Sequence, residues 1–266
     1  MRSSMIIFTA VTIATMISVP TAAEIKKVAY PEVRVAVEEA YKPDSAFETM
    51  RKALASAVTK KDATSLFALV GPTFLWMVDG RPADEFDMGR DALHNFKVVF
   101  GFRTAGADTD GDVQDGPFWD LLTELADDQT YYQLSGERNL VCGPIAASVK
   151  DDNVFDQAAT KLQNDDETPQ WYFTLAETAV AKAPGDTGAP IAKIGQVALP
   201  LLNVSPTAQE GQAAQQPKYF EVLLNSGKSG WIPAAAARPL SSDRLCYAKT
   251  LQGEWKIVAY DQLPQQ

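Results

Sequence analysis

The sequence predicts an α+β fold in two textures: a helical-plus-sheet first part, then a strand-rich second part closed by a β-hairpin. Three observations carry this. Apolar residues recur at helical spacing over 45–70 and again over 91–126. After the charged, proline-ended run 164–169, short β-rich runs alternate with Gly, Pro and Ser at the spacing of a small barrel. Residues 245–250 and 254–260, joined by Gln252-Gly253, form a hairpin pattern.

Taken in order, residues 1–23 read as a cleavable signal peptide. Arg2 gives the positive start, 5–19 are apolar, and Thr21-Ala22-Ala23 supply the small residues before the cut. A membrane span needs roughly 20 apolar residues; this run is shorter and is diluted by Thr9, Thr12 and Thr15. The expected location of the remainder is the periplasm or the exterior.

Segment 31–43 reads as strand or loop. A helix follows, with Ser45 and Glu48 in capping-box spacing and Phe47, Met50, Leu54 and Val58 on one face. Lys60-Lys61-Asp62 breaks it. Asp62 can cap a short second helix through Leu66, Leu69 and Val70, which Gly71-Pro72 stops. Residues 73–78 form a strand ending at the turn signal Asp79-Gly80. Leu93, Phe96 and Phe100 mark a helix over 91–100. Beyond a polar loop, 105–115, Pro117 stands near the first position of another helix carrying Phe118, Leu121, Leu122 and Leu125. Strands are expected at 130–134 and 140–142, and a helix at 154–162. Residues 205–217, low in apolar content, read as a loop.

Loss of residues 1–23 removes only Arg2 from the 24 basic residues and none of the 34 acidic ones, leaving 23 against 34, a net charge of −11. Such a field opposes nucleic-acid phosphates and anionic lipid, and no Lys/Arg cluster offsets it locally. No later stretch is apolar enough for a membrane span. Cys142 and Cys246 are the two cysteines; after export such a pair reads first as a disulfide, ahead of two separate buried thiols.

Residues 171–240 resemble a bacterial SH3-like domain. The resemblance rests on Ala179-Val180-Ala181-Lys182-Ala183-Pro184 and, above all, on Gly227-Lys228-Ser229-Gly230-Trp231-Ile232. Two departures are the long 205–217 loop and Tyr219-Phe220 where the family commonly has Trp. The resemblance implies a small β-barrel that binds peptidoglycan or a peptide or protein partner without catalysis, with Trp231, Tyr219 and Phe220 as the candidate ligand-binding residues. For Trp231, packing within the barrel competes with that role.

The remainder resembles, on a shorter motif, the cone-shaped fold of nuclear-transport-factor-like proteins. The motif is the closing strand Glu254-Trp255-Lys256-Ile257-Val258 after two short N-terminal helices. This resemblance implies an α+β domain, 24–165, completed by a hairpin at 243–266, with the SH3-like module inserted between them. Cys246 would then reach back to Cys142. The alternative is a helical domain followed by a barrel that keeps its own hairpin.

Other chemistry is sparse. Asp108, Asp110, Asp112 and Asp115 alternate as in calcium loops, but Val113 stands where such a loop needs Gly and Trp119 where it needs Glu. A solvated acidic loop is the favoured reading, and calcium is the only cofactor considered. The single histidine, His94, would have to serve any Ser-His or Cys-His device, and no G-x-S-x-G elbow or phosphate loop is present. The expected function is an exported, non-catalytic binding or scaffolding protein whose partner is peptidoglycan or an envelope protein. The alternative is a cone-fold small-ligand carrier or enzyme with an accessory SH3-like module.

Overall fold

The computed structural model describes residues 25–78, 81–83, 87, 89–102, 118–134, 140–163, 169–205 and 217–263. The fold is α+β, as the alternation of periodicities predicts, with a six-stranded sheet, a seven-stranded sheet and a two-stranded ribbon.

The first part runs β1 (Val33–Val37), α1 (Ser45–Thr59), α2 (Ala63–Phe67), β2 (Val70–Val78), β3 (Arg81–Pro82), α3 (Ala92–Val99), α4 (Trp119–Asp127), β4 (Tyr132–Gln133), β5 (Leu140–Gly143), β6 (Ala147–Val149) and α5 (Asp152–Leu162). Asp62 and Asp91 cap α2 and α3, accepting from the backbone N–H of Ser65 and His94. The cap of α1 differs from the Ser45–Glu48 expectation. Asp44 accepts from the Phe47 N–H at 2.7 Å, and Ser45 is the first helical residue. Glu48 turns instead to Arg51 at 2.9 Å. A carboxylate is the better partner for the positive end of the helix. A second difference lies at Gly71-Pro72, which sits inside β2 rather than ending α2. There Gly71 permits a close strand approach: a Cβ would lie 3.0 Å from Val258 Cγ1 and 3.3 Å from the Ile257 carbonyl.

The six-stranded sheet has the order β3-β2-β15-β14-β5-β4, where β14 is Arg244–Lys249 and β15 is Trp255–Gln262. The C-terminal hairpin thus lies between two strands of the first part, antiparallel to β5 and parallel to β2. Helices α1, α3 and α4 cover one face, and the core between is dense with rings. Phe47 stands edge-on to Tyr131, Trp255 and Tyr247 at centroid distances of 4.8, 5.0 and 5.4 Å, the geometry aromatic quadrupoles favour. Asp44 fastens the start of α1 to the hairpin, accepting from Lys249 Nζ at 2.7 Å and from the Trp255 indole N–H at 3.3 Å.

Cys142 on β5 and Cys246 on β14 are directly opposed, buried, and joined in a disulfide with a Cα–Cα distance of 4.0 Å. The bridge spans 104 residues, a loop whose closure stabilises the fold by about 4–5 kcal/mol in the chain-entropy account.

The second part comprises β7 (Trp171–Thr174), β8 (Thr178–Val180), β9 (Ala192–Ile194), β10 (Val197–Ser205), β11 (Tyr219–Leu223), β12 (Ser229–Pro233), one 3-10 turn (Ala234–Ala236) and β13 (Ala237–Pro239). Strands β10, β11 and β12 form an antiparallel meander, and β7 pairs with both β10 and β13. The β8–β9 ribbon reaches β12 through reciprocal backbone hydrogen bonds between Ala181 and Trp231, 2.8 and 2.9 Å. This sheet does not end with residues 171–240. Strand β10 also pairs with β1, with Val33 opposite Ala198, and β1 continues to β6, with Val35 opposite Val149. A second core, including Val33, Val35, Leu162, Trp171 and Phe173, fills the space behind the disulfide. A third, including Val180, Phe220, Val222 and Ile232, lies within the meander.

Candidate functional site

The β11–β12 hairpin sorts its residues by face. Tyr219 is opposite Pro233 and Glu221 opposite Trp231, so Tyr219, Glu221, Trp231 and Pro233 share one face. Phe220, Val222 and Ile232 share the other with Gly230 and enter the third core. The structure therefore brings Tyr219 and Trp231 together, both half-buried, and places Phe220 elsewhere. Phe220 is 7% exposed and packs its ring 4.9 Å from Tyr172. Gly230 is required on the core face, since a Cβ would lie 2.4 Å from Val180 Cγ1.

The hairpin turn explains this alignment. Gly227 adopts φ +83°, and a Cβ there would also meet Ala29 N and Val28 C at 2.9 Å. The segment before β1 is thereby held against the turn, with the Tyr30 hydroxyl donating to the Leu223 carbonyl at 2.7 Å. It covers the Leu223 end of the outer face. A cavity of about 190 Å³ lies between this segment, β9 and the turn, lined by Tyr30, Glu32, Lys193, Leu199, Asn225 and Ser226 among others.

A larger cavity, about 300 Å³, lies where α4 meets the β7–β13 edge. Leu121, Leu125 and Pro239 give apolar wall, Trp171 and Tyr172 give aromatic wall, and Glu124, Asp128, Arg238 and Asp243 give charge. Asp128 holds Arg238 through an ion pair of 2.6 Å and accepts from the N–H and hydroxyl of Thr130. Asp243 accepts from the Tyr260 hydroxyl and from the Leu263 N–H. Burial, with Asp243 adding to it, pushes the Tyr260 phenol well above its ordinary pKa. Burial, then Glu124, raises Tyr172.

Sequence reasoning did not find this second site. Glu124 and Asp128 look like a solvated helix end, and Trp171-Tyr172 like ordinary strand residues; only the return of β13 to α4 makes them neighbours.

Asp108, Asp110, Asp112 and Asp115 lie outside the described residues. Among the described residues no group of three or more His, Cys, Asp and Glu is arranged to hold a metal ion. His94 is half-buried on α3, its backbone N–H donated to Asp91. No helix among the described residues is long and apolar enough to cross a membrane. Searches of family models, of curated proteins and of solved structures found no match to this chain.

Proposed function

We propose that this is an exported, non-catalytic binding or scaffolding protein of the cell envelope, in which an SH3-like module holds the peptide-bearing polymer of the wall, peptidoglycan. The observation that carries the reading is the sorting of the β11–β12 hairpin. Trp231 and Tyr219 stand on the outward face beside the β8–β9 ribbon, while Phe220 and Ile232 supply the core. Two aromatic rings on one face suit an extended peptide or glycan-linked peptide.

Support for the module comes from strand order. A ribbon separates the first strand, β7, from the meander, and a single 3-10 turn precedes the last strand, β13, which returns to β7. Support for a cone-like carrier comes from the helices packed on one face of a sheet ordered β3-β2-β15-β14-β5-β4. The disulfide suits an oxidising compartment.

The test is co-sedimentation of residues 24–266 with purified peptidoglycan sacculi, beside Trp231→Ala and Tyr219→Ala variants whose circular dichroism matches the parent. Retention that falls at least tenfold in Trp231→Ala is the expected result. If the parent stays in the supernatant, the wall is not its ligand.

A further inference from the structure

We propose that the cavity between α4 and the β7–β13 edge binds one neutral N-acetylated amino-sugar ring. Its acetamido carbonyl accepts from the Trp171 indole, and its hydroxyls donate to Glu124 and Asp243. This site is separate from the β11–β12 face and stands whatever that face binds.

The unpaired groups of the wall come first. Trp171 lines the cavity, is 3% exposed, and has an indole N–H without an acceptor among the described residues. Arg238 Nε lies 2.6 Å from Asp128 Oδ2, yet its N–H is not aligned on that oxygen and makes no hydrogen bond. Buried donors left in this state are costly, and a ligand oxygen that meets them removes the cost. Against these donors stand three carboxylates, Glu124, Asp128 and Asp243. Asp128 accepts from the N–H and hydroxyl of Thr130, and Asp243 from Tyr260 and Leu263. An ionised carboxylate has about four lone-pair sites, so each retains capacity for a further donor. Glu124 is exposed on α4. The wall therefore fits a ligand with at least one acceptor and several donors.

That requirement selects the chemistry. A cation without an acceptor leaves the indole N–H unpaired, and an anion is repelled by the three acidic side chains. An apolar ligand buries all of these groups unpaired. A neutral amide supplies the carbonyl, and hydroxyls on the same molecule supply the donors. A peptide brings one N–H with each carbonyl, too few for three carboxylates. A pyranose with one acetamido group brings one carbonyl and several O–H groups. Hydrogen bonds from hydroxyl to carboxylate are charge-assisted and so add affinity as well as orientation. Leu121, Leu125 and Pro144 give apolar wall for the acetamido methyl, and Tyr172 gives aromatic wall for the C–H face of the ring. The cavity, about 300 Å³, stands at the lower end of small-molecule sites, about 300–1,000 Å³, and suits a single ring.

Isothermal titration of residues 24–266 would use N-acetylglucosamine, glucose and Nα-acetyl-alanine amide. Glucose offers the hydroxyls alone, and the capped alanine offers the amides alone. Saturable binding of N-acetylglucosamine, at least fivefold tighter than either, is expected. Trp171→Phe keeps an apolar ring and removes the N–H. It should bring N-acetylglucosamine down to the affinity of glucose and leave glucose itself unchanged, which general damage to the wall would not do. Glu124→Gln, on an exposed helix position, should weaken both sugars at least threefold, while Asp156→Asn, exposed on α5, should change neither. If Trp171→Phe does not fold, the preference of the parent for N-acetylglucosamine and the loss in Glu124→Gln decide the matter. Tightest binding by the capped alanine assigns the cavity to a peptide and overturns the proposal. So does the absence of saturable sugar binding, N-acetylglucosamine binding no tighter than glucose, or binding indifferent to Glu124→Gln.

Discussion

Arg238 and Asp128 approach to 2.6 Å in the wall of the cavity between α4 and the β7–β13 edge, each side chain less than one fifth exposed, and so tie β13 to the end of α4. Opposite charges this far from water are costly to separate, because the survivor is left without its partner.

Arg238→Met is therefore expected to destabilise by about 1–3 kcal/mol, somewhat below the range for fully buried pairs. In a double-mutant cycle with Asp128→Asn, urea titration should give a coupling of about 0.5–3 kcal/mol. Additive costs would show that the two groups act independently.

Asp44 should confer a stability that acid removes. Its carboxyl is held below the ordinary range, chiefly by the hydrogen bond from Lys249 and then by the Phe47 N–H. A depressed folded-state pKa stabilises above the unfolded value, near pH 3.9, and the contribution is lost as pH falls through the lower folded value. Asp44→Ala should cost about 1 kcal/mol at pH 7 through the lost cap. Thermal melts of parent and variant should draw together below pH 4. A constant gap down to pH 2 would count against the carboxylate's role.

How much of this was legible in the sequence depends on the range of the contacts. Helices α1, α3 and α4 announce themselves through Phe47-Met50-Leu54, Phe96-Phe100 and Leu122-Leu125, because one apolar stripe is a local property. Asp62 is legible as a cap for the same reason, whereas the Asp91 cap of α3 shows only in the structure. Gly71-Pro72 was not, since the same dipeptide serves as a helix stop and as a strand approached closely by Val258. Nor was the pairing of Val33 with Ala198, which periodicity cannot express because strand alternation names a face and not a partner. The cleft is hidden likewise: Glu124, Tyr172 and Asp243 come from three separated segments.

Phe220 and Trp231, on opposite faces of one hairpin, should separate stability from binding. Phe220→Ala empties a buried site and is expected to cost about 3–5 kcal/mol. Trp231→Ala should cost about 1 kcal/mol, since the Ala181 hydrogen bonds use only its backbone. Chemical denaturation of both variants checks this. A Trp231→Ala loss equal to that of Phe220→Ala would make Trp231 a core residue.

The disulfide should matter in proportion to the loop that it closes. Replacing Cys142 and Cys246 together by Ala is expected to lower stability by about 2–5 kcal/mol. Melting the parent with and without a phosphine reductant should reproduce the difference. An unchanged melting temperature in the double variant would mean that the strand pairing alone holds β5 and β14 together.

The seat of the β14–β15 hairpin also governs the timing of assembly. A ribosome releases β2 and β5 long before the two strands that belong between them. Until residues 244–262 emerge, both strands present bare edges, and the aromatic side chains of the first core lack Tyr247, Trp255 and Ile257 as cover. Such late, distant pairing makes for slow folding and a nascent chain open to strand-to-strand association. The six-stranded sheet therefore cannot close until residues 244–262 have been made, and a chaperone that shields strand edges would have its greatest effect in that interval.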